Sequence, residues 1–421
     1  MDAYRFSERT AGGELDDRTR DWLAAVRLGF NEGRGSDETT RRWWAAASAD
    51  GQRWRSVHRD QPLDELGMGS LPVATLGSLD HRINVGGQLV TARYITDVTV
   101  RTTDRRKGLL RRMMADELTQ TRADGRPVAS LTASEAGIYG RFGFGVALRR
   151  QSVEVALDGR FQLRHEPRAT VEAADPSTAS GLVADLLEDF LARHRGAHEP
   201  MAHHRVGWSG EYDWEKQAEA TSLRAAIALE GTRPVGAVVF TLGDESDKLT
   251  VQWMVADGDA ELALWQYLTN IDLVTKAVVH QFSPASALRE ALVDHRLVRT
   301  TGESDQIWLR ILDVAEMLRV RGWDHDGSIV LAVDDPLGIT PGTWRVTVSD
   351  GHARVEQLSD SPEEERAEAR MGIDVLGELY FGAGRVPALV AAQRITAAPE
   401  AARALAHLFA VDEPARNVVL F

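Results

Sequence analysis

The run "ARYITDVTV" at residues 92–100 alternates, then breaks into "RTTDRRKGLL" at 101–110. The alternation predicts a strand ending at Val100, and "GLLRRMMADELTQTRADG" has helical spacing from Gly108 or Leu109 onward. A strand that turns directly into a helix leaves unpaired backbone N–H groups, and the positive end of the helix dipole, at the turn. Gly108 lets an oxygen approach the backbone closely, and Arg105, Arg106, Lys107 and Arg111 gather positive charge around the same point. The stretch reads as an anion seat fit for a pyrophosphate. The plainer alternative is a basic helix start on the surface. Neither a G-x-G-x-x-G nor a G-x-x-x-x-G-K-[ST] loop is present.

Composition narrows the class. A chain of 421 residues has room for two to four domains. A net charge of −14 disfavours nucleic acid and favours cationic ligands. The absence of cysteine excludes disulfides, thiolate catalysis and zinc–thiolate sites. No apolar block opens the sequence and no stretch approaches 18 uncharged apolar residues, so neither a signal peptide nor a membrane span is expected. The expectation is a cytoplasmic enzyme or binding protein.

Periodicity divides the chain into three parts. Residues 1–155 read as helix ("DDRTRDWLAAVRLGF", "RRWWAAASAD"), strands, the helix after Gly108, the strand "RPVASLTAS", a short helix opened by Ser134, and a last strand "QSVEVAL". Residues 156–303 repeat that order more faintly, with a hairpin at "EGTRP" and a strand leading into "GDAELALWQYLTNID", where no arginine–glycine turn intervenes. In residues 304–421, "IWLRILDVAEMLRVRGW" enters a helix, alternating strands follow, and "ALVAAQRI" and "PEAARALAHLFA" are helical. The acidic run at 360–370 reads as a solvated loop or helix end. The chain ends "EPARNVVLF"; since chain ends usually fray, an apolar end implies that Phe421 is held.

The turn, R-x-x-G-x-[GA] after a strand, resembles the coenzyme A signature of the GNAT acetyltransferases, with Arg105, Gly108 and Leu110 in the marked places; Leu110 departs from the usual small residue. "LTASEAGIYGRFGFG" resembles the same superfamily's ending. A Tyr139 phenol there can protonate a leaving thiolate, while Phe142 and Phe144 read as core packing. Together with "RPVGAVVF", "LGELYFGAGRV" and "VVLF", these stretches resemble the Eis family of actinobacterial acetyltransferases along essentially the whole chain. The resemblance implies an α/β (α+β) protein of two tandem GNAT domains, 1–155 and 156–303, then a domain like sterol carrier proteins at 304–421, assembled as a homohexamer.

It further implies that Tyr139 is the general acid and that the carboxylate of Phe421 is the general base. Aromatic core packing is the alternative for both. Acetyl-coenzyme A contacts fall by resemblance on Val98, Thr99 and Val100, on Arg106, Lys107, Gly108, Leu109, Leu110 and Arg111 beside Arg105, and on Ser134 and Glu135. Acceptors would be polycationic amines, notably aminoglycosides, or lysine side chains. Phe30, Glu32, Trp43 and Asp97 are the candidate pocket residues, with Asp37, Glu38 and Trp44 nearby; a solvated loop with core tryptophans is the alternative. His194, His198, His203 and His204 cluster without carboxylates at helical spacing and read as a polar loop near an interface, so no metal is expected. A non-catalytic lipid- or coenzyme-binding assembly protein is the rival reading.

Overall fold

The computed structural model describes residues 3–62, 64–243, 247–362, 366–382 and 385–421. Part of the acidic run, residues 363–365, and part of "LGELYFGAGRV", residues 383–384, lie outside the described residues. Among the described residues twelve strands form one sheet: β1 (Tyr4–Thr10), β2 (Arg53–Arg59), β3 (Ala74–Asn84), β4 (Leu89–Val100), β5 (Val128–Leu131), β6 (Gly145–Ala156), β7 (Thr170–Ala174), β8 (Leu223–Glu230), β9 (Arg233–Leu242), β10 (Lys248–Ala256), β11 (Lys276–Phe282) and β12 (Val298–Ile311). Their spatial order is β1-β2-β3-β4-β5-β12-β6-β11-β10-β9-β8-β7. β4 and β5 are parallel and joined by the helix Leu109–Ala123; β10 and β11 are parallel and joined by the helix Gly258–Thr269. A parallel pair requires such a crossover. The faint repeat in the sequence is thus a repeat of strand–helix–strand units.

β12 lies between β5 and β6 and pairs antiparallel with both. Residues 303 and 304, where the sequence reading separates its second and third parts, lie inside this strand. "IWLRI", read as the entry to a helix, is its end, and the helix is confined to Val314–Val320. A second sheet, in the order β15-β14-β13-β16-β17, is built from β13 (Gly327–Asp334), β14 (Gly342–Ser349), β15 (His352–Ser359), β16 (Ala369–Gly372) and β17 (Ile395–Ala397). It shares one buried apolar cluster with β6 and β12, in which Leu148, Leu309 and Ile311 meet Leu331, Leu376 and Phe409. The approach is close: a Cβ at Gly145 would fall 1.7 Å from the carbonyl oxygen of Asp374.

β2 escapes the alternation rule for a physical reason. Arg53 and Arg55 lie on its face toward the helix Leu109–Ala123, where an apolar strand would carry valine or leucine. Both are paired with Glu117 of that helix, which is almost fully buried and also binds Arg93 of β4 at 2.7 Å. Mutual pairing makes this inward charge tolerable. The helix that starts at the anion seat is thereby locked to two strands, β2 and β4.

Candidate active site

β4 and β5 are paired only at Arg93–Ala129, Tyr94–Ser130 and Ile95–Leu131; β5 then ends while β4 continues to Val100. Against β3, the register jumps between Thr75–Thr99 and Gly77–Thr96, so Asp97 and Val98 together face one residue. This is a β-bulge, and Asp97 takes a φ of 54° there. The strands splay beyond the bulge, and the backbone of β4 has no ladder partner on its β5 side among the described residues. An extended amide-bearing chain could pair along such an edge as an added strand.

The turn after β4 closes one end of the opening. Arg106 has a φ of 62° and Gly108, the cap of the helix Leu109–Ala123, a φ of 80°. The first helical hydrogen bond runs from the Arg112 N–H to the Gly108 carbonyl, so the preceding N–H groups point out of the helix start. Two left-handed residues beside a helix N-terminus form a concave array of N–H groups that suits a phosphate. Among the described residues, the Arg106 and Arg111 side chains make no hydrogen bond or ion pair, whereas Arg105 donates to the Val100 carbonyl. Lys107 is engaged with Asp104 and Tyr4, and Leu109 is buried in the core. Buried Asp104 holds the turn from beneath. Burial alone would raise its carboxyl, but hydrogen bonds from Arg59, Tyr4, Lys107 and Thr103 keep it well below the usual carboxylate range.

A cavity of about 770 Å³ occupies the opening. Phe30, Glu32, Trp43, Asp97, Val98, Ser134, Tyr139 and Phe421 all line it, so the sequence-derived acceptor pocket and both catalytic candidates share one space. Val100 and the phosphate turn sit outside that lining, and Thr99 faces away to hydrogen-bond Thr75 at 2.7 Å. Asp37 and Glu38 open the helix Asp37–Ala49, where they pair with Arg20 and with Arg41 and Arg42; they do not line the cavity. Trp44 belongs to an inner cluster with Trp22 and Trp54. Ser134 is not the helix cap expected of it: the helix is Ala136–Tyr139, with Glu135 in the cap position and no side-chain capping bond.

Burial pushes the Tyr139 phenol up to about 12, with Glu135 adding to the effect. Burial likewise holds the Asp97 carboxyl up at about 6; a 2.9 Å hydrogen bond from Gln52 pulls it down and Glu32 raises it. Glu32 is paired with Arg27 at 3.2 Å. Trp214, Glu215 and Gln217 also line the cavity although they follow β7 in the chain, and no local motif marks them.

The chain end arrives through a series of anchors. Residues 410–421 form neither helix nor strand, yet Asn417 and Val419 are buried. The Arg416 guanidinium pairs with Asp257, and the Asn417 carbonyl accepts from Gln306 on β12 at 3.0 Å. The His198 N–H donates to the Asn417 side chain at 3.2 Å, His204 meets the Leu420 carbonyl at 2.6 Å, and the Phe421 N–H donates to Thr132 at 3.2 Å. The Phe421 ring stacks on Tyr94, centroids 4.0 Å apart. Two of the four histidines read as a polar loop are therefore buried anchors for the tail. His203 stacks on Trp43, and His194 pairs with Asp257. Among the described residues no group of three or more His, Asp or Glu side chains is arranged to hold a metal ion.

A strand–helix–strand unit present twice, with an anion seat in the first copy, matches known proteins along most of the chain. Models of acetyltransferase (GNAT) domains match residues 16–147 and 200–320, and a sterol carrier protein domain matches 314–416. The N-acetyltransferase Eis of Mycobacterium tuberculosis is 32% identical over 372 residues, which cover 85% of this chain and 88% of that one. The chain belongs to the Eis family of GNAT N-acetyltransferases. An uncharacterized N-acetyltransferase of Streptomyces griseus is 33% identical over 88% of this chain and 89% of its own length. The fold matches that of Eis1 from Mycobacterium abscessus with a TM-score of 0.79 at 21% identity, covering 99% of this chain and 100% of that one. It also matches a GCN5-related N-acetyltransferase from Anabaena variabilis with a TM-score of 0.80 at 18% identity, at the same coverage. The protein is an acetyl-coenzyme A-dependent N-acetyltransferase with two GNAT domains followed by a sterol-carrier-like domain. In the second GNAT copy, Asp257, Asp259 and Glu261 stand at the start of the crossover helix Gly258–Thr269, where the first copy has arginines and a glycine, and Asp257 is paired with Arg193, His194 and Arg416.

Proposed function

We propose that this enzyme acetylates primary amines of polycationic small molecules, aminoglycosides among them, at one or several positions, with lysine side chains as further acceptors. The observation that carries the reading is the single cavity shared by Tyr139, Phe421, Asp97 and Glu32. Acetyl-coenzyme A supplies the acetyl group as a thioester. The Phe421 carboxylate accepts a proton from the incoming ammonium, directly or through water, which frees the nitrogen lone pair for attack on the thioester carbonyl. The Tyr139 phenol donates its proton to the departing thiolate as the carbon–sulfur bond breaks; the second proton shed by the nitrogen as the amide forms returns to the Tyr139 phenolate, and Phe421 releases the first to solvent, so the net products are amide, thiol and one proton. Asp97 and Glu32 hold the cationic acceptor, while Trp43 and Phe30 give it apolar walls and cation–π faces. The splayed edge of β4 at Val98, Thr99 and Val100, together with the seat from Arg105 to Arg111 and with Ser134 and Glu135, holds the coenzyme.

In this reading residues 1–155 carry the chemistry, 156–303 are a second copy without a coenzyme site, and 304–421 serve to deliver Phe421. The enzyme works in the cytoplasm as a homohexamer, which sedimentation would show as about six chain masses. No helix among the described residues is long and apolar enough to cross a membrane. The test mixes the protein with acetyl-coenzyme A and an aminoglycoside bearing several amines and follows thiol release. Release well above background is expected. None with any of several amines would favour a non-catalytic lipid- or coenzyme-binding protein.

A further inference from the structure

The last peptide bond of the chain is gripped at both ends. Its carbonyl oxygen, on Leu420, meets His204 Nε2 at 2.6 Å, and its N–H, on Phe421, donates to Thr132 Oγ1 at 3.2 Å. The Met201 N–H donates to His204 Nδ1 at 3.0 Å, so the imidazole proton resides on Nε2 and points at the Leu420 carbonyl. Burial holds this imidazole well below its ordinary value, which keeps that tautomer neutral. A peptide unit is planar, so hydrogen bonds at opposite ends fix its plane. The stacked Tyr94 ring fixes the Phe421 side chain. With plane and ring held, little beyond rotation about the final Cα–C bond remains to the carboxyl group. Thr132 follows β5 and His204 lies in the helix Ala202–Trp208, so the two anchors come from the first and second units and act on the tail of the third.

We infer that His204 and Thr132 are positioning residues that aim the Phe421 carboxyl group into the cavity and so set the turnover rate. This rests on the reading of Phe421 as general base. Because His204 does not line the cavity, its removal should act on kcat and leave the acetyl-coenzyme A site alone. A displacement of about 1 Å in a reacting group is enough to cost roughly a hundredfold in rate.

The experiment compares four variants of the full chain, namely His204→Phe, His204→Gln, Thr132→Val and the chain with one glycine appended after Phe421, and also combines the last with His204→Phe. His204→Phe and Thr132→Val should each lower kcat about 10- to 100-fold with the KM for acetyl-coenzyme A within threefold. His204→Gln, whose amide nitrogen replaces Nε2, should recover most of the loss. In the glycine-extended background His204→Phe should cost little more, because groups acting as a unit are not additive. If the extended chain is inactive while His204→Phe and Thr132→Val keep near-normal kcat, the positioning role is wrong and the terminal base survives. If the extended chain is fully active, the terminal base itself is wrong. Should His204→Phe fail to bind acetyl-coenzyme A, Thr132→Val decides alone, since it removes one hydroxyl at constant volume.

Discussion

Burial pushes the Tyr139 phenol up to about 12, so at neutral pH it keeps its proton and is equipped to give it to a thiolate. Tyr139→Phe should lower kcat by about 10²- to 10⁴-fold while leaving acetyl-coenzyme A affinity nearly unchanged; a kcat within threefold of wild type in a thiol-release assay would contradict the assignment. Asp97 gives a pH signature of its own. Burial, with Glu32 beside it, keeps its folded value near 6, above roughly 3.9 in an unfolded chain. Between those values the folded protein binds more protons than the unfolded one, so the stability contributed by Asp97 falls as pH rises from about 4 to about 6. Burial holds His198 and His203 down to about 4, and their contribution is instead lost as pH falls from about 6.5. The comparison of wild type with Asp97→Asn separates the two: from pH 4 to pH 7 the variant should gain on the order of 2 kcal/mol relative to wild type by urea denaturation. A difference independent of pH would rule out a buried titrating carboxyl at that position. At this scale the sequence was informative where chemistry is local. Arg106, Gly108 and Tyr139 stand out by type and spacing; the first two lie at the helix start and Tyr139 in the cavity wall. Thr132, Trp214 and Gln217 reach the cavity from separate segments and carry no periodic mark.

Among the elements, the strand–turn–helix of β4, Gly108 and Leu109–Ala123 was legible because each piece has its own period and punctuation. β2 was not, since its inward face is arginine matched by Glu117 across the layer, a pairing that only the fold displays. β12 was read only in part for another reason: it leaves the second GNAT unit and completes the first, a choice of partner that no residue in it announces. That strand carries Arg310, whose guanidinium is fully buried and bonds both oxygens of Asp335 at 2.7 Å. Asp335 in turn accepts the N–H groups of Leu337, Ile339 and Thr340, and Leu337 and Ile339 pack against the cluster that holds Tyr139. Breaking a buried pair by removing one partner leaves an uncompensated charge. Asp335→Ala should therefore destabilise the protein by about 3–5 kcal/mol in urea denaturation, and a loss under 1 kcal/mol would mean that the pair is not sealed from water.

Across the whole molecule, three units converge on one cavity. The first supplies the splayed strands and Tyr139, the second lends Trp214 to the lining and His204 to the tail's anchorage, and the third extends twelve irregular residues to bring Phe421 in. The apolar end "VVLF" signalled that the tail is held, but what holds it was hidden in histidines that invite a metal reading. The proposed base is a backbone group that no side-chain pattern can reveal. Converting the Phe421 carboxyl group to a carboxamide, by ligating a synthetic tail, changes that group and spares the Tyr94 stack and both hydrogen bonds of the last peptide. Single-turnover acetylation by the amidated enzyme should be at least about a hundredfold slower at unchanged acetyl-coenzyme A affinity; a rate within threefold of the native chain would contradict the account.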